Sequence, residues 1–212
     1  ELHLNAGDAI AITGASGCGK STLIEALGLI LAPSRLERFT LVGQDITAVV
    51  NGHQATEYRR LSSLRSQHYG FVPQTNGLLH YLRVQQNIEL QAQIQGREVD
   101  RTWLAHATDR LGLASLTDRF VRELSIGQRQ RVSFLRAIAH RPVVLLADEP
   151  TAALDPDHAS RLFEVMLELA RDLSVTTVVV THEWDLVKSF GLKRLTAQAL
   201  GPSHMAFAPC LA

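Results

Sequence analysis

The stretch Gly14-Ala15-Ser16-Gly17-Cys18-Gly19-Lys20-Ser21-Thr22 decides the fold of this chain. It matches the phosphate-loop pattern G-x-x-x-x-G-K-[ST], and it lies between an apolar run over 9–13 and a predicted helix over 22–31. A preceding strand and a following helix are the context in which this pattern binds the phosphates of a nucleotide. The sequence therefore predicts an α/β fold with a P-loop NTPase core.

The residue types of this loop indicate its chemistry. Glycines allow the backbone to curl so that successive N–H groups point at phosphate oxygens, and the helix N-terminus adds a partial positive charge. Lys20 is expected to meet the β- and γ-phosphates of ATP, and the Ser21 hydroxyl to coordinate Mg²⁺. A plain glycine turn with an exposed lysine is the structural alternative, which the flanking strand and helix disfavour.

Two further apolar runs, over 143–147 and 175–181, predict strands. Neither run alternates with polar residues, so we expect a mostly parallel sheet covered by helices on both faces. Apolar residues at helical spacing over 157–173 predict a helix between these strands. Asp155 and Pro156 are an N-cap residue and a first-turn proline, and complete a β-α-β unit.

The middle of the chain has a different pattern. Gln-rich helical stretches over 84–95 and 100–111 occur there without a convincing strand. We interpret residues 78–140 as a helical subdomain inserted into an α/β core formed by about 1–77 and 141–212. All 212 residues are expected to form one domain.

Acidic and polar side chains follow the two later predicted strands. Asp148 and Glu149 come directly after the run 143–147, and His182 follows the run 175–181. Because ligands of open α/β sheets gather at the carboxyl ends of strands, Asp148 is predicted to hold Mg²⁺ and Glu149 to act as general base. A lone histidine at a strand end is more often a structural residue.

A second possible anion site precedes the predicted helix that runs to about Ala139. Ser125 and Gln128 form a capping pattern, and Gly127 between them exposes backbone N–H groups beside the serine hydroxyl. A capped helix start usually has no further role. One nucleotide does not obviously require two such sites.

Composition excludes some classes of function. Lys+Arg and Asp+Glu both number 21, so the chain lacks the basic character of nucleic-acid-binding proteins, and no nucleic acid partner is expected. The apolar runs are far shorter than the roughly 20 residues that span a bilayer, and no secretory signal is visible. Cys18 and Cys210 are interpreted as small space-filling residues in a reducing compartment.

The motifs together resemble the ATP-binding cassette (ABC) ATPase family, in the family's order and over nearly the whole chain. The segment 65–88 is most similar to the lipoprotein-release and macrolide-export branch. Gly14 to Thr22 resembles the Walker A motif, and Val143 to Glu149 resembles Walker B with its catalytic glutamate. Gln74 in Gly70-Phe71-Val72-Pro73-Gln74 corresponds to the Q-loop, and Leu124 to Gln128 to the signature motif. Ala153-Leu154-Asp155 corresponds to the D-loop and His182 to the H-loop.

This resemblance implies a RecA-like core with a helical ABC subdomain and a second cassette subunit packed head to tail, with a homodimer as the favoured case. It implies further roles for residues outside the phosphate loop: Gln74 as a metal ligand and catalytic residue, His182 as a catalytic residue, and Ser125, Gly127, Gln128 and Asp155 as nucleotide-binding residues. A separate transmembrane permease would then be the driven partner, which places the protein in the cytoplasm on the inner face of the cell membrane.

The sequence departs from the family in two places. Ile126 replaces the first glycine of the signature motif, and a β-branched residue could alter the backbone there. The family also stacks an aromatic residue on adenine from a strand before Walker A, whereas no aromatic residue precedes Phe39 here. Either the sequence begins after that residue or adenine is held differently.

Two other classes of function remain as alternatives. A soluble ABC ATPase acting on a ribosome or nucleic acid typically carries tandem cassettes, coiled-coil insertions or basic extensions, and none is present. A P-loop kinase or GTPase would need an acceptor site or an Asn-Lys-x-Asp motif, which is absent, and would leave the signature motif without a purpose.

Overall fold

The computed structural model describes residues 2–33, 36–52, 54–201 and 204–209. Cys210 lies outside these residues, while Cys18 is a buried free thiol as expected. The strands are β1 (Ala9–Thr13), β2 (Thr40–Leu41), β3 (Gln44–Asp45), β4 (Tyr69–Val72), β5 (Val144–Asp148), β6 (Thr176–Val180), β7 (Lys193–Gly201) and β8 (His204–Pro209).

Helices cover the sheet and fill the middle of the chain. Two 3₁₀ turns, Ala114–Leu116 and Val121–Glu123, lie between the fifth and sixth helices. The α-helices are α1 (Lys20–Leu27), α2 (Thr47–Val50), α3 (Ala55–His68), α4 (Val84–Ile94), α5 (Arg101–Arg110), α6 (Ile126–Ile138), α7 (Pro156–Asp172) and α8 (Trp184–Ser189).

The main sheet of the described residues has the strand order β4-β5-β6-β1-β7-β8. β4, β5, β6, β1 and β7 are parallel, and β8 runs antiparallel to β7. A separate antiparallel hairpin joins β2 to β3. The predicted α/β fold with a mostly parallel sheet is confirmed, and β1 has the predicted bounds.

Two buried clusters occupy the two faces of this sheet. Adjacent residues of β5 show the alternation, since Leu145 belongs to the cluster that includes α6 and α7, and Leu146 to the one that includes α1 and α3. The first cluster also contains Val84 and Leu104 of the helical region, so that region shares its core with the sheet. The division at residues 78 and 140 stays a prediction.

Helix α1 differs from its predicted bounds of 22–31. It begins at Lys20 and ends at Leu27, because Leu29 adopts a left-handed φ of 58°. The N–H of Ile30 donates to the carbonyl of Glu25 at 2.9 Å, which closes the helix end in the manner of a Schellman motif.

None of the helices in the described part of the chain has the length and apolar character needed to span a membrane.

Candidate active site

Three glycines give the phosphate loop its shape. Gly14, Gly17 and Gly19 have φ values of 154°, 78° and 87°, in the region that favours glycine. A Cβ on Gly14 would lie 2.8 Å from the Cβ of Ala197 and 2.8 Å from the Sγ of Cys18, so a side chain cannot be accommodated there. Nothing lies within 4 Å of a Cβ on Gly17 or Gly19, which leaves open space beside the loop.

Lys20 brings a buried positive charge to this loop. Its side chain donates from Nζ to the carbonyls of Gly14 and Ala15, both at 2.9 Å, and the residue is only 9% exposed. The ammonium group therefore lies against the loop at the start of α1, where the helix dipole adds partial positive charge. This arrangement is suited to an anionic ligand.

Ser21 and Asp148 connect the phosphate-loop helix to the end of β5. The hydroxyl of Ser21 donates to Oδ2 of Asp148 at 3.2 Å, although the two residues are 127 positions apart. Burial raises the pKa of Asp148, the hydrogen bond from Ser21 opposes this shift, and the neighbouring charge of Glu149 adds to it. The two predicted metal ligands are thus in direct contact.

Glu149 and His182 form a pair at the same edge of the sheet. Nδ1 of His182 lies 2.8 Å from Oε2 of Glu149, and the side chains are 64% and 12% exposed, respectively. This hydrogen bond and the charge of Glu149 raise the pKa of His182. The N–H of Glu149 donates to the carbonyl of Val180 at 2.9 Å, which fixes Glu149 against β6.

Gln74 follows β4, whose neighbour β5 ends at Asp148. Its side chain is exposed, and it lies in a turn closed by a 2.9 Å hydrogen bond from the N–H of Asn76 to the carbonyl of Pro73. Because parallel strands end at one edge, Gln74 lies at the same edge of the sheet as Asp148 and Lys20.

The predicted second anion site is the capped start of α6. The hydroxyl of Ser125 accepts from the N–H of Gln128 at 3.2 Å, and the N–H of Ser125 donates to Oε1 of Gln128 at 2.8 Å. Ile126 begins the helix and is 50% exposed, and it leaves this cap intact.

The signature and the D-loop are adjacent within this chain. A Cβ on Gly127 would lie 2.9 Å from Cδ2 of Leu154, so glycine allows these segments to approach each other. Asp155 caps α7 as predicted, since its carboxylate accepts from the N–H of His158 at 3.1 Å. His158 was not predicted as a neighbour of Asp155, and its Nδ1 lies 2.8 Å from Oδ2 of that residue.

The starts of α1 and α6 lie on opposite faces of the sheet. Helix α1 packs on β5 and β6 with its residues in one core cluster, whereas α6 packs on β4, α4 and α7 in the other. The structure therefore brings Lys20, Ser21, Asp148, Glu149 and His182 to one sheet edge, with Gln74 after the neighbouring strand β4, and holds Ser125, Gly127, Gln128 and Asp155 in a second group.

A groove of about 450 Å³ lies behind the turn of Gln74. Arg65 and Arg136 line it together with apolar residues, which include Ile30, Phe71 and Leu90. Both arginines donate to backbone carbonyls. Arg65 binds the carbonyl of Leu29 at 2.7 Å, because α3 packs against the end of α1.

Comparison with known sequences shows a clear family relationship. The sequence model of the family described as ABC transporter matches residues 1–152 of this chain. The lipoprotein-releasing system ATP-binding protein LolD of Oleidesulfovibrio alaskensis is 40% identical over 183 residues, which are 85% of this chain and 76% of that protein. The methionine import ATP-binding protein MetN of Streptomyces avermitilis is 39% identical over 195 residues, 89% of this chain.

These relatives differ in length from this chain. The aligned part covers 54% of that methionine import protein, so the chain spans about half its length. The macrolide export ATP-binding/permease protein MacB of Shigella flexneri is 39% identical over 184 residues, which cover 86% of this chain and 27% of that protein. Relatives from the expected branch therefore occur together with methionine import proteins.

Solved structures show the same fold. The dimeric structure of a bacterial ABC transporter cassette is similar with a TM-score of 0.77 and 27% identity, over 92% of this chain and 83% of that one. A dimeric post-hydrolysis state of the same cassette, bound to ADP and Pi, is similar with a TM-score of 0.78 and 26% identity, over 97% of this chain and 88% of that one.

Proposed function

This chain belongs to the ABC transporter family, and we propose that it binds and hydrolyses ATP as the energy-coupling subunit of a transporter. The observation that carries the proposal is the 3.2 Å hydrogen bond between Ser21 and Asp148, which joins the phosphate loop to the acidic end of β5. Beside it lies the carboxylate of Glu149, paired with His182, which supports the proposed role of Glu149 as general base.

The phosphate loop supplies the binding energy in this proposal. Residues 14–22 surround the triphosphate with backbone N–H groups, and Lys20 exchanges its bonds to the loop carbonyls for bonds to phosphate oxygens. The left-handed glycines and the open space beside Gly17 and Gly19 allow a phosphate to approach the backbone closely. The donor set therefore suits a triphosphate.

Ser21, Asp148 and Gln74 are the proposed ligands of Mg²⁺. All three present oxygen atoms, the ligand type that this cation prefers, and magnesium commonly binds through one or two carboxylates plus substrate phosphates. The Ser21 and Asp148 oxygens are already in contact, which matches a small shared ligand. When bound, the ion would neutralise charge on the phosphates.

Glu149 is the proposed general base. Its carboxylate takes a proton from the attacking water while His182 holds the carboxylate in place through Nδ1. The low exposure of Glu149 limits the number of its orientations, and the 2.8 Å hydrogen bond fixes one oxygen so that the other can contact water.

The second group of residues serves a partner subunit in this proposal. Ser125, Gly127 and Gln128 close on the γ-phosphate held by the phosphate loop of a second cassette, and Asp155 lies at the same interface. Their position on the face of the sheet opposite to α1 supports a contribution in trans. The two similar solved cassettes are both dimeric.

A transmembrane permease is the proposed driven partner, with the cassette on the cytoplasmic face of the membrane. The groove behind Gln74 supports this partnership, because it combines the charges of Arg65 and Arg136 with apolar surface from Ile30 and Leu90. A cytoplasmic segment of the permease that carries an acidic and several apolar residues would complement it.

Phosphate release from Mg²⁺-ATP tests the proposal. Asp148→Asn is expected to lose most hydrolysis, since it removes the carboxylate charge beside Ser21. Asp172→Asn at the end of α7 is the matched control and should retain the wild-type rate. Undiminished phosphate release by Asp148→Asn would contradict the assignment of the site. Stimulation by ribosomes, with no effect of a permease, would instead favour the soluble ABC ATPase.

A further inference from the structure

The turn that carries Gln74 has an unusual backbone at its end. Asn76 and Gly77 both have left-handed φ values, 65° and 58°. Asparagine tolerates this conformation better than most residues, but it still carries a conformational penalty. A Cβ on Gly77 would lie 3.0 Å from Cγ of Pro73 and 3.4 Å from Nη2 of Arg136, so the turn is closely packed.

Two side chains of α6 bind the end of this turn. The hydroxyl of Ser133, which is 0% exposed, donates to the carbonyl of Asn76 at 2.8 Å. Arg136 donates from Nη1 to the carbonyl of Gly77 at 2.8 Å and from Nη2 to that of Asn76 at 3.2 Å. One planar guanidinium group thus holds two consecutive carbonyls, a geometry that lysine cannot reproduce.

These contacts fix Gln74 from one side. The Pro73 end of the turn continues from β4, and the Asn76 end is held by α6, with Gln74 between them. Without the bonds from α6, the left-handed residues would relax toward commoner conformations, and the position of Gln74 would become variable.

We propose that Ser133 and Arg136 are positioning residues that hold the turn 73–77 so that Gln74 can bind the metal ion. This inference rests on the proposed role of Gln74 as a Mg²⁺ ligand. Residues that orient a metal ligand contribute to affinity although they do not touch the ion. Because Ser125 caps α6, the same helix connects the signature to the turn that carries Gln74.

The test measures Mn²⁺ affinity, with Mn²⁺ in place of Mg²⁺, by electron paramagnetic resonance on ATP-loaded protein in a Glu149→Gln background. Gln74→Ala and Arg136→Ala are each expected to weaken Mn²⁺ binding about tenfold, the lower end of the range for outer-shell partners. Ser133→Ala and Arg136→Lys should show smaller losses in the same direction. ATP affinity in EDTA should remain unchanged in all four variants.

A double substitution separates positioning from a general effect on folding. If Arg136 acts through Gln74, Gln74→Ala combined with Arg136→Ala should bind Mn²⁺ as weakly as Gln74→Ala alone. Additive losses would overturn the proposal. Arg65→Ala is the control, because Arg65 lines the same groove and binds a carbonyl of a different turn. It should leave Mn²⁺ affinity unchanged.

The results also separate this inference from the function it rests on. Normal Mn²⁺ affinity in Gln74→Ala would overturn both the metal role of Gln74 and the positioning role of α6. A loss in Gln74→Ala without a loss in Arg136→Ala and Ser133→Ala would overturn the positioning role alone and leave the ATPase assignment intact.

Discussion

The starts of α1 and α6 both present backbone N–H groups. Only α6 has side chains next to its start that bind such groups. At α6, Ser125 and Gln128 bind each other's backbone N–H groups in a capping box. At α1, the N-cap position is Gly19 in a left-handed conformation, and no side chain caps the helix. The first helix start is therefore open to a ligand, whereas the capping box already binds the N–H groups of Ser125 and Gln128 at the second.

This difference indicates an order of binding. Exposed N–H groups at a helix start need a partner, and at α1 we expect a phosphate to provide it. At α6 a phosphate that binds the Ser125 hydroxyl or the N–H of Gln128 must share or displace the contacts of the capping box. We therefore expect nucleotide to bind first at α1, and α6 to contribute only when a second subunit brings a phosphate to it.

The largest expected effect comes from Glu149→Gln, which should lower steady-state hydrolysis about 10²–10⁴-fold because it removes the general base. ATP binding at α1 should persist, and an ATP-bound dimer should accumulate, so the contribution of α6 becomes measurable. Phosphate release and light scattering check this. Glu164→Gln on the exposed side of α7 is the control, and wild-type turnover in Glu149→Gln would exclude the general-base role.

Lys20→Ala tests the binding of phosphate at the start of α1. Loss of charge-assisted hydrogen bonds to phosphate should weaken ATP binding to the isolated chain about 10–100-fold. Calorimetry with ATP measures this, with Lys188→Ala on the exposed end of α8 as the matched control. Equal affinity in Lys20→Ala and the wild type would mean that the loop does not bind the triphosphate.

Ser125→Ala tests the contribution of the start of α6. Loss of the cap should lower the free energy of unfolding by about 1 kcal/mol, without changing ATP affinity at α1. ATP-dependent dimer formation in the Glu149→Gln background should decrease. Asp100→Ala removes the N-cap of α5 and is the control for stability, since it should leave dimer formation intact. A parallel loss of ATP affinity in Ser125→Ala would contradict the order of binding.

The smallest expected effect is a change in the pKa of His182, which lies at the same sheet edge as the start of α1. The carboxylate of Glu149 raises the pKa of His182 above its usual value of 6.5. Glu149→Gln removes that charge, so the pKa of His182 should fall and the protonated fraction at pH 7 should decrease. Titration of the histidine ring by NMR measures this. The same pKa in both proteins would indicate that the pair does not persist in solution.

The sequence predicted the features that depend on local residue patterns. The phosphate loop is a contiguous motif of glycines with one lysine, β1 is a continuous apolar run, and the cap of α6 depends on residues three positions apart. Asp148 and Glu149 could be placed because their strand carries its own apolar signal. Ser21 and Asp148 were each predicted to bind Mg²⁺, and the structure brings them into contact.

Features that depend on distant contacts could not be predicted in the same way. β4 has four residues and becomes a strand because Phe71 pairs with Leu146 of β5, far away in sequence. The pairing of His182 with Glu149 spans 33 positions, and the histidine alone gave no sign of it. The role of Arg136 depends on carbonyls 59 and 60 positions earlier, which a local residue pattern cannot reveal.

One backbone angle at the sheet edge has a wider consequence. Glu149 is not a glycine, yet its φ is 49°, a conformation that typically destabilises an L-residue by about 1–2 kcal/mol. This strained residue is the one proposed to activate water, and its carboxylate contacts His182. A commoner φ at Glu149 would increase the free energy of unfolding. The proposed hydrolysis and the stability of the fold therefore favour different backbone conformations at this residue.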